Sequence, residues 1–166
     1  MRFRALTSVL LLTALAACGR GQPVDSVAAP APPTRWSTIV TGAGTTLAYA
    51  PERPSAQTPP IRMGCGRDPA AFRVGVERIV PIGSEDRLSV GFDGEPFALA
   101  VTPQSLAGPE GLEAEGPITQ DLLIVLQTAT VIEGSYGATR FGPYEAPPPA
   151  MLNALAQACR AAGVSR

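Results

Sequence analysis

Histidine and lysine are both absent from the 166 residues of this sequence. Serine–histidine, cysteine–histidine, serine–lysine and Schiff-base sites all need one of these two residues, so these classes of catalytic site are excluded. Zinc sites that use histidine are excluded for the same reason. Chemistry with paired carboxylates and metal binding by oxygen ligands remain open. We therefore expect a protein that is not an enzyme and has no catalytic residues, metal or cofactor.

Positive charge is also scarce. The 13 basic residues are all arginine, they stand against 14 acidic residues, and they form no basic cluster. Because phosphate contacts dominate nucleic-acid binding, nucleic acid is not an expected partner. What the chain does have is 18 prolines and 17 glycines, which predict many turns and a fold made mostly of strands.

The first 18 residues resemble the signal peptide of a bacterial lipoprotein. Arg2 and Arg4 precede an apolar stretch that is shorter than the about 20 residues needed to span a bilayer. Leu15-Ala16-Ala17-Cys18 then matches the lipobox, at which such proteins are cleaved and lipidated. The resemblance predicts removal of residues 1–17 and acyl chains on Cys18. The alternative, a plain secretory signal, does not explain a cysteine directly after Leu-Ala-Ala.

Residues 18–35 are rich in proline and alanine and have no periodic apolar pattern. We interpret them as a tether between a lipidated N-terminus and a single domain over residues 36–166. The predicted location is the cell envelope, on a membrane that faces the periplasm. Glycine at position 19, in place of aspartate, favours the outer membrane over the inner, by resemblance to lipoproteins of Gram-negative bacteria.

With Cys18 assigned to lipid, Cys65 and Cys159 remain as a pair in an oxidising compartment. Both are in phase with apolar residues of their own segments, so we predict a disulfide between them. It would close a loop of about 94 residues, for which the chain-entropy model gives roughly 4–5 kcal/mol of stabilisation. The alternatives are two free buried thiols or a redox pair, although neither cysteine lies in a C-x-x-C motif.

Alternating apolar residues and turn signals predict an antiparallel sheet. Hairpin turns are expected at Gly42-Ala43-Gly44 and at Asp93-Gly94. We interpret residues 61–101 as an antiparallel meander and residues 103–117 as an acidic loop. The predicted strands of this part of the chain cover residues 36–40, 45–50, 61–65, 72–79, 88–92 and 97–101.

The last third of the chain predicts two helices. Apolar residues at helical spacing favour a helix over 119–128 with Thr119 as its N-cap, although a buried strand is the alternative for 119–129. Two strands follow near 130–136 and 139–144, and three prolines precede a helix that ends at Gly163. The fold class is therefore α+β, an antiparallel sheet or sandwich with a C-terminal helix pinned by Cys65–Cys159.

The order of these features is similar to that of the VasI-type proteins, a family associated with type VI secretion, and of their periplasmic relatives. The resemblance implies a β-rich fold with a disulfide and a role in a secretion assembly. Phe141-Gly142-Pro143 departs from the Phe-x-x-x-Gly-Leu that is usual in the family. The positions that carry the resemblance are Trp36, Cys65, Phe92-Asp93-Gly94, the segment 121–132, Phe141 and Leu155–Cys159.

Two groups of carboxylates are candidate sites. Glu110, Glu113 and Glu115 could hold a cation, but they lack the Asp/Asn/Gly spacing of calcium loops, and we interpret them as a solvated surface. Asp93 and Glu95 could act as an acid and base pair, but they flank a hairpin glycine, so turn formation explains Asp93 better.

Trp36, Tyr136 and Tyr144 are aromatic residues with polar tips, which are common in interfaces and also in cores. They are the candidate interface residues of the sequence. The leading hypothesis is a non-enzymatic envelope lipoprotein that binds another protein, anchored to the membrane through Cys18.

Two other functions remain open, and each has a structural signature. A protein-binding surface should expose apolar side chains, whereas a small-ligand or inhibitor module should have a concave pocket with convergent polar groups. A carboxylate-based hydrolase of cell-wall glycan, the third hypothesis, should place two carboxyl groups about 5–10 Å apart in a cleft.

Overall fold

The computed structural model describes residues 35–42, 44–67, 70–103 and 111–163. The predicted signal peptide, Cys18, Glu110 and nearly all of the tether lie outside these residues. Among the described residues, no helix is both long and apolar enough to cross a membrane. The helices are α1 (Gln120–Thr128) and α2 (Pro149–Ala162), and the strands are β1 (Trp36–Thr41), β2 (Gly44–Tyr49), β3 (Ile61–Arg67), β4 (Ala70–Val76), β5 (Arg87–Phe92), β6 (Glu95–Val101), β7 (Leu112–Gly116), β8 (Val131–Tyr136) and β9 (Thr139–Glu145).

The described strands form one antiparallel sheet in the order β1-β2-β3-β4-β7-β6-β5-β8-β9. The predicted α+β fold, with an antiparallel sheet and a C-terminal helix, is thereby confirmed. The meander predicted over 61–101 is interrupted, because β7 lies between β4 and β6 and pairs with both. The acidic stretch 103–117 was expected as a loop, and that expectation is wrong for 112–116. Its glutamates alternate with buried Leu112 and Ala114, which is the pattern of a half-buried strand.

One face of the sheet carries the core. Side chains at alternate strand positions point to this face, and α2 packs there against β2, β3, β4 and α1. Burial of each large apolar side chain contributes about 1.5–3 kcal/mol to the free energy of folding. The strand residues of the core include Leu47, Ile61, Met63, Phe72, Val74, Leu88, Val90, Phe92, Leu112, Ile132 and Phe141.

The predicted helix over residues 119–128 is confirmed, and the strand alternative is wrong. The side chain of Thr119 accepts a hydrogen bond from the backbone N–H of Leu122 at 3.2 Å, which caps the helix as predicted. Leu122, Leu123 and Leu126 are buried on one side of α1, whereas Ile124 is exposed. This arrangement has the period of an amphipathic helix, and the chain returns to the sheet as β8.

The predicted disulfide joins β3 to α2. Cys65 and Cys159 are bonded, with 5.0 Å between their Cα atoms and 94 residues between them in sequence. Cys159 shares its helix face with Leu152, Leu155 and Ala156, all of which are buried. The C-terminal helix is therefore held to the sheet by both apolar contact and a covalent bond.

The sheet curls so that parts of its two outermost strands meet. The indole N–H of Trp36, at the start of β1, donates a hydrogen bond of 2.8 Å to the carbonyl oxygen of Glu145, at the end of β9. The ring of Tyr49 packs between those of Trp36 and Tyr144, with centroid distances of 5.2 and 5.0 Å. The beginning of β1 is thus fixed against β9, and the residues of β1 after Trp36 are exposed.

Candidate functional site

Strand β1 is the first strand of the sheet and pairs only with β2 within the described part of the chain. After Trp36 every one of its residues is exposed. We call the side of β1 that faces away from β2 the open edge. An edge strand presents a row of backbone N–H and C=O groups that can pair with another strand.

The ladder between β1 and β2 defines which backbone groups point to the open edge. Ala50 N–H donates to the carbonyl oxygen of Arg35, and these residues continue the β1–β2 register. Hydrogen-bonded pairs alternate along an antiparallel ladder. Ser37, Ile39 and Thr41 therefore direct their backbone groups to β2, whereas Thr38 and Val40 direct theirs away from it.

The side chains along the open edge are uncharged and partly apolar. Ile39 is 46% exposed and Val40 is 74% exposed, although isoleucine and valine are among the residue types most often buried. The sequence Trp-Ser-Thr-Ile-Val-Thr contains no charge and no proline. Soluble proteins protect edge strands with lysine, proline or bulges, and β1 has none of these devices.

Strand β9 forms the other edge of the sheet and is closed; we call its side away from β8 the closed edge. Gly142 N–H donates a bond of 2.7 Å to the carbonyl oxygen of Gln57, and Pro143 has no N–H. The carbonyl oxygen of Glu145 accepts from the Trp36 indole. The buried hydroxyl of Tyr144 donates to the carbonyl oxygen of Pro59, and burial raises its pKa. The connection between β2 and β3, together with the Trp36 indole, thus covers the closed edge over Gly142–Glu145.

A concave feature, the outer groove, lies on the face of the sheet opposite the core. It has a volume of about 660 Å³, and Gly44, Thr46, Gly64 and Gly66 form part of its lining. The register brings Gly44 opposite Gly66 and Thr46 opposite Gly64. Small residues on neighbouring strands leave the backbone accessible and account for the depth of the groove.

Two arginine–glutamate pairs line the other side of the outer groove. Arg62 lies 3.3 Å from Glu113, and Arg73 lies 3.2 Å from Glu115. A Cβ at Gly66 would lie 2.6 Å from Nη1 of Arg73, so the guanidinium occupies the space next to Gly66 that a larger side chain would need. All four charged side chains are between 37% and 59% exposed, and such pairs contribute at most about 1 kcal/mol each.

The glutamates of the predicted acidic cluster therefore lie on β7 and not in a loop. Glu113 and Glu115 are alternate residues on one face of the strand, with about 7 Å between their Cα atoms. A carboxyl that acts as a general acid usually lies against an apolar wall, whereas each of these glutamates lies next to an arginine.

Asp93 has a structural role. Among the described residues its carboxylate bonds to Thr130 and Val131, and no hydrogen bond joins it to Glu95. The Asp93 carboxylate accepts bonds of 2.7 Å from the Thr130 hydroxyl, 3.0 Å from Thr130 N–H and 2.8 Å from Val131 N–H. These bonds hold the pKa of the Asp93 carboxyl below its usual range. Its φ of 50° and that of Gly94, 85°, are those of a hairpin turn, as the sequence indicates.

The three aromatic candidate interface residues lie in the core and not on the surface. Trp36 is 5% exposed, Tyr136 1% and Tyr144 2%. Each polar tip has a backbone partner inside the domain; the Tyr136 hydroxyl, for example, accepts from Ile82 N–H at 2.9 Å and donates to a carbonyl oxygen. Because the polar tips are satisfied internally, these side chains can be buried without an interface.

The open edge and the outer groove were not identified from the sequence. The sequence does contain the uncharged stretch 36–41 and the glycines of β3. Only the strand order shows that the first lies at a sheet edge and that the second line a groove. Among the described residues, no group of three or more histidine, cysteine, aspartate or glutamate side chains is placed to hold a metal ion.

Comparison of the chain with protein-family models, with curated proteins and with solved structures finds no match. The similarity to VasI-type proteins therefore stays a prediction.

Proposed function

We propose that this protein is a lipid-anchored envelope protein that acts by binding another polypeptide and not by catalysis. The anchor is the predicted lipid on Cys18, and the membrane is the predicted outer membrane, on its periplasmic side. The binding element is the open edge of β1. The observation that carries the proposal is an unprotected edge strand whose apolar side chains, Ile39 and Val40, are exposed.

Strand addition is the binding mode that this edge favours. An extended segment laid along β1 would form backbone hydrogen bonds with Thr38 and Val40, and these bonds supply affinity without requiring a particular sequence. Side chains of the added strand would alternate between the two faces of the sheet, next to Ile39 on one face and Val40 on the other. Selectivity would come from these contacts, which favour an uncharged and partly apolar segment.

A second candidate function is binding of a small ligand in the outer groove, because its volume of about 660 Å³ lies in the range of ligand pockets. This candidate ranks lower because the charged groups of the groove already pair with one another. A ligand with charges of its own would have to displace those pairs.

Site-specific photo-crosslinking in the native envelope tests the main proposal. A photoreactive amino acid replaces Val40 in the full chain, and the matched control places it at Val80, which is 79% exposed against 74% for Val40. We expect covalent adducts of higher mass at position 40, at least several-fold above those at position 80.

Equal adduct yields at the two positions, or none at position 40, would show that the open edge binds no polypeptide. The variant Arg73→Ala separates the second candidate from the first. It alters the outer groove and should leave the adducts at position 40 unchanged, whereas loss of those adducts would place binding in the groove.

A further inference from the structure

We infer that the partner of the open edge is a second copy of this chain, so that two β1 strands pair antiparallel about a two-fold axis. This inference rests on the proposed function and names the partner of the same edge. It commits to one register, in which Ile39 faces Ile39 of the second copy. In that register Thr38 faces Val40 of the second copy, and Ser37 faces Thr41.

The hydrogen-bond pattern permits this register. Thr38 and Val40 point their backbone groups to the open edge, and an antiparallel pair forms its ladder bonds between residues of this kind. Thr38 of each copy then bonds with Val40 of the other. The two Ile39 residues form the intervening non-hydrogen-bonded pair, whose side chains approach most closely.

The side chains favour the same register. Ile39, which is 46% exposed, meets the other Ile39 on the groove side of the sheet, and Val40 meets Thr38 on the core side. Pairs of β-branched side chains across strands are favourable. Moving the register so that Thr38 faces Thr38 would set Ile39 against Ser37 and leave its apolar surface without an apolar neighbour.

Charge and closure favour a second copy over an indefinite chain of copies. The segment Trp36–Thr41 contains no charged residue, so no like charges meet when it pairs with itself. A symmetric pair uses the open edge of both copies. Because Gly142 bonds to Gln57 and the Glu145 carbonyl to the Trp36 indole, β9 offers no full-length edge to a third copy. The assembly therefore stops at a dimer.

A five-residue strand pair is small compared with the roughly 1,200–2,000 Å² buried in stable complexes, so the dimer is expected to be weak in free solution. Anchoring both copies on one membrane raises their local concentration and favours pairing. The dimer is therefore best detected by covalent trapping in the envelope.

The test is disulfide trapping with the full chain carrying Ile39→Cys. In the proposed register the two Cα atoms of residue 39 lie about 4.5 Å apart, which fits the roughly 4.4–6.8 Å of a disulfide. The control is Ser37→Cys, on the same face of β1 and also exposed, because the two copies of residue 37 would lie about 14 Å apart. The chain without an added cysteine reports any dimer formed through the native cysteines.

Under a mild oxidant we expect at least tenfold more disulfide-linked dimer for Ile39→Cys than for Ser37→Cys, and loss of that dimer when Val40→Lys is added. A monomeric Ile39→Cys, or equal yields at positions 37 and 39, would overturn the inference. If Ile39→Cys stays monomeric while position 40 forms photo-adducts with other proteins, the proposed function stands and only the identity of the partner is wrong.

Discussion

The two edges of the sheet differ in several features that control strand addition. The closed edge of β9 contains a proline, bonds its Gly142 N–H to the β2–β3 connection and holds the Trp36 indole on its last carbonyl. The open edge of β1 has no proline, no charge and two exposed apolar side chains. Both strands are edge strands of the same sheet. The fold therefore forms with one edge protected and the other unprotected.

This difference bears on the proposed role of the open edge. The sequence supplies such protection at β9 and not at β1, which supports the proposal that β1 pairs with another strand. The exposed apolar side chains of β1 do not lower the stability of the monomer, because they are in water in both the folded and the unfolded state. They become favourable only when a second strand covers them.

Loss of the disulfide should have the largest effect, because α2 supports the half of the sheet that carries the open edge. Replacing both cysteines by alanine, Cys65→Ala with Cys159→Ala, should lower the free energy of unfolding by about 4 kcal/mol. Urea unfolding followed by circular dichroism measures the change, with Cys18→Ser as the control. A loss of stability no larger than that of the control would contradict a structural role for this bond.

Loss of the hydrogen bond between Trp36 and Glu145, which joins β1 to β9, should have the second largest effect on the free energy of unfolding. Trp36→Phe removes the indole N–H and leaves the carbonyl oxygen of Glu145 without this donor, which should cost about 2 kcal/mol. Tyr49→Phe is the control, because it keeps the ring between Trp36 and Tyr144. Similar unfolding midpoints for the two variants would mean that the hydrogen bond between β1 and β9 contributes little.

The side of the sheet near the closed edge should respond to acid through Asp93. Its bonds to Thr130 and Val131 lower its folded-state pKa, so they stabilise the fold above the pKa of an unfolded aspartate, and this stabilisation is lost as the pH falls through the lowered folded-state pKa. Asp93→Asn should remove this part of the acid dependence. Unfolding is measured at neutral pH and at a series of pH values below 3.8, with Glu95→Gln as the control, and an unchanged acid profile for Asp93→Asn would refute the assignment.

A charge on the open edge should have the smallest effect on the free energy of unfolding, and it should abolish association. Val40 is 74% exposed, so Val40→Lys should change the free energy of unfolding by less than about 0.5 kcal/mol. It should nevertheless prevent strand addition, because edge lysines block pairing. Ile124→Lys, at an exposed apolar residue of α1, is the matched control and should leave association unchanged. Analytical ultracentrifugation at increasing concentration compares the two.

Local features of the fold could be predicted from the sequence. The Asp93-Gly94 turn, the Thr119 cap and the inward phase of Cys65 and Cys159 each depend on neighbouring residues, and the structure confirms them. The strand order depends on contacts between distant segments. The place of β7 between β4 and β6, and therefore the exposure of β1 at an edge, could not be read from local patterns.

The outer groove, too, could not be predicted from local sequence patterns. Gly64 and Gly66 alternate with apolar residues in β3, which indicates a strand with small residues on its polar face. Only the register places Arg73 beside Gly64 and brings Glu115 within reach of that arginine. The burial of Trp36, Tyr136 and Tyr144 was equally undecided in the sequence, because their backbone partners lie between 51 and 109 residues away.

Residue-resolved hydrogen exchange by NMR tests the difference between the edges most directly. In dilute full-length protein, the amides of Thr38 and Val40 should exchange fast while that of Ile39, bonded to β2, and that of Gly142, bonded to Gln57, exchange slowly. At high concentration, Thr38 and Val40 should gain protection and Gly142 should not change. Slow exchange of Thr38 and Val40 in the dilute protein, or no gain in their protection on concentration, would contradict the open edge as the site of pairing.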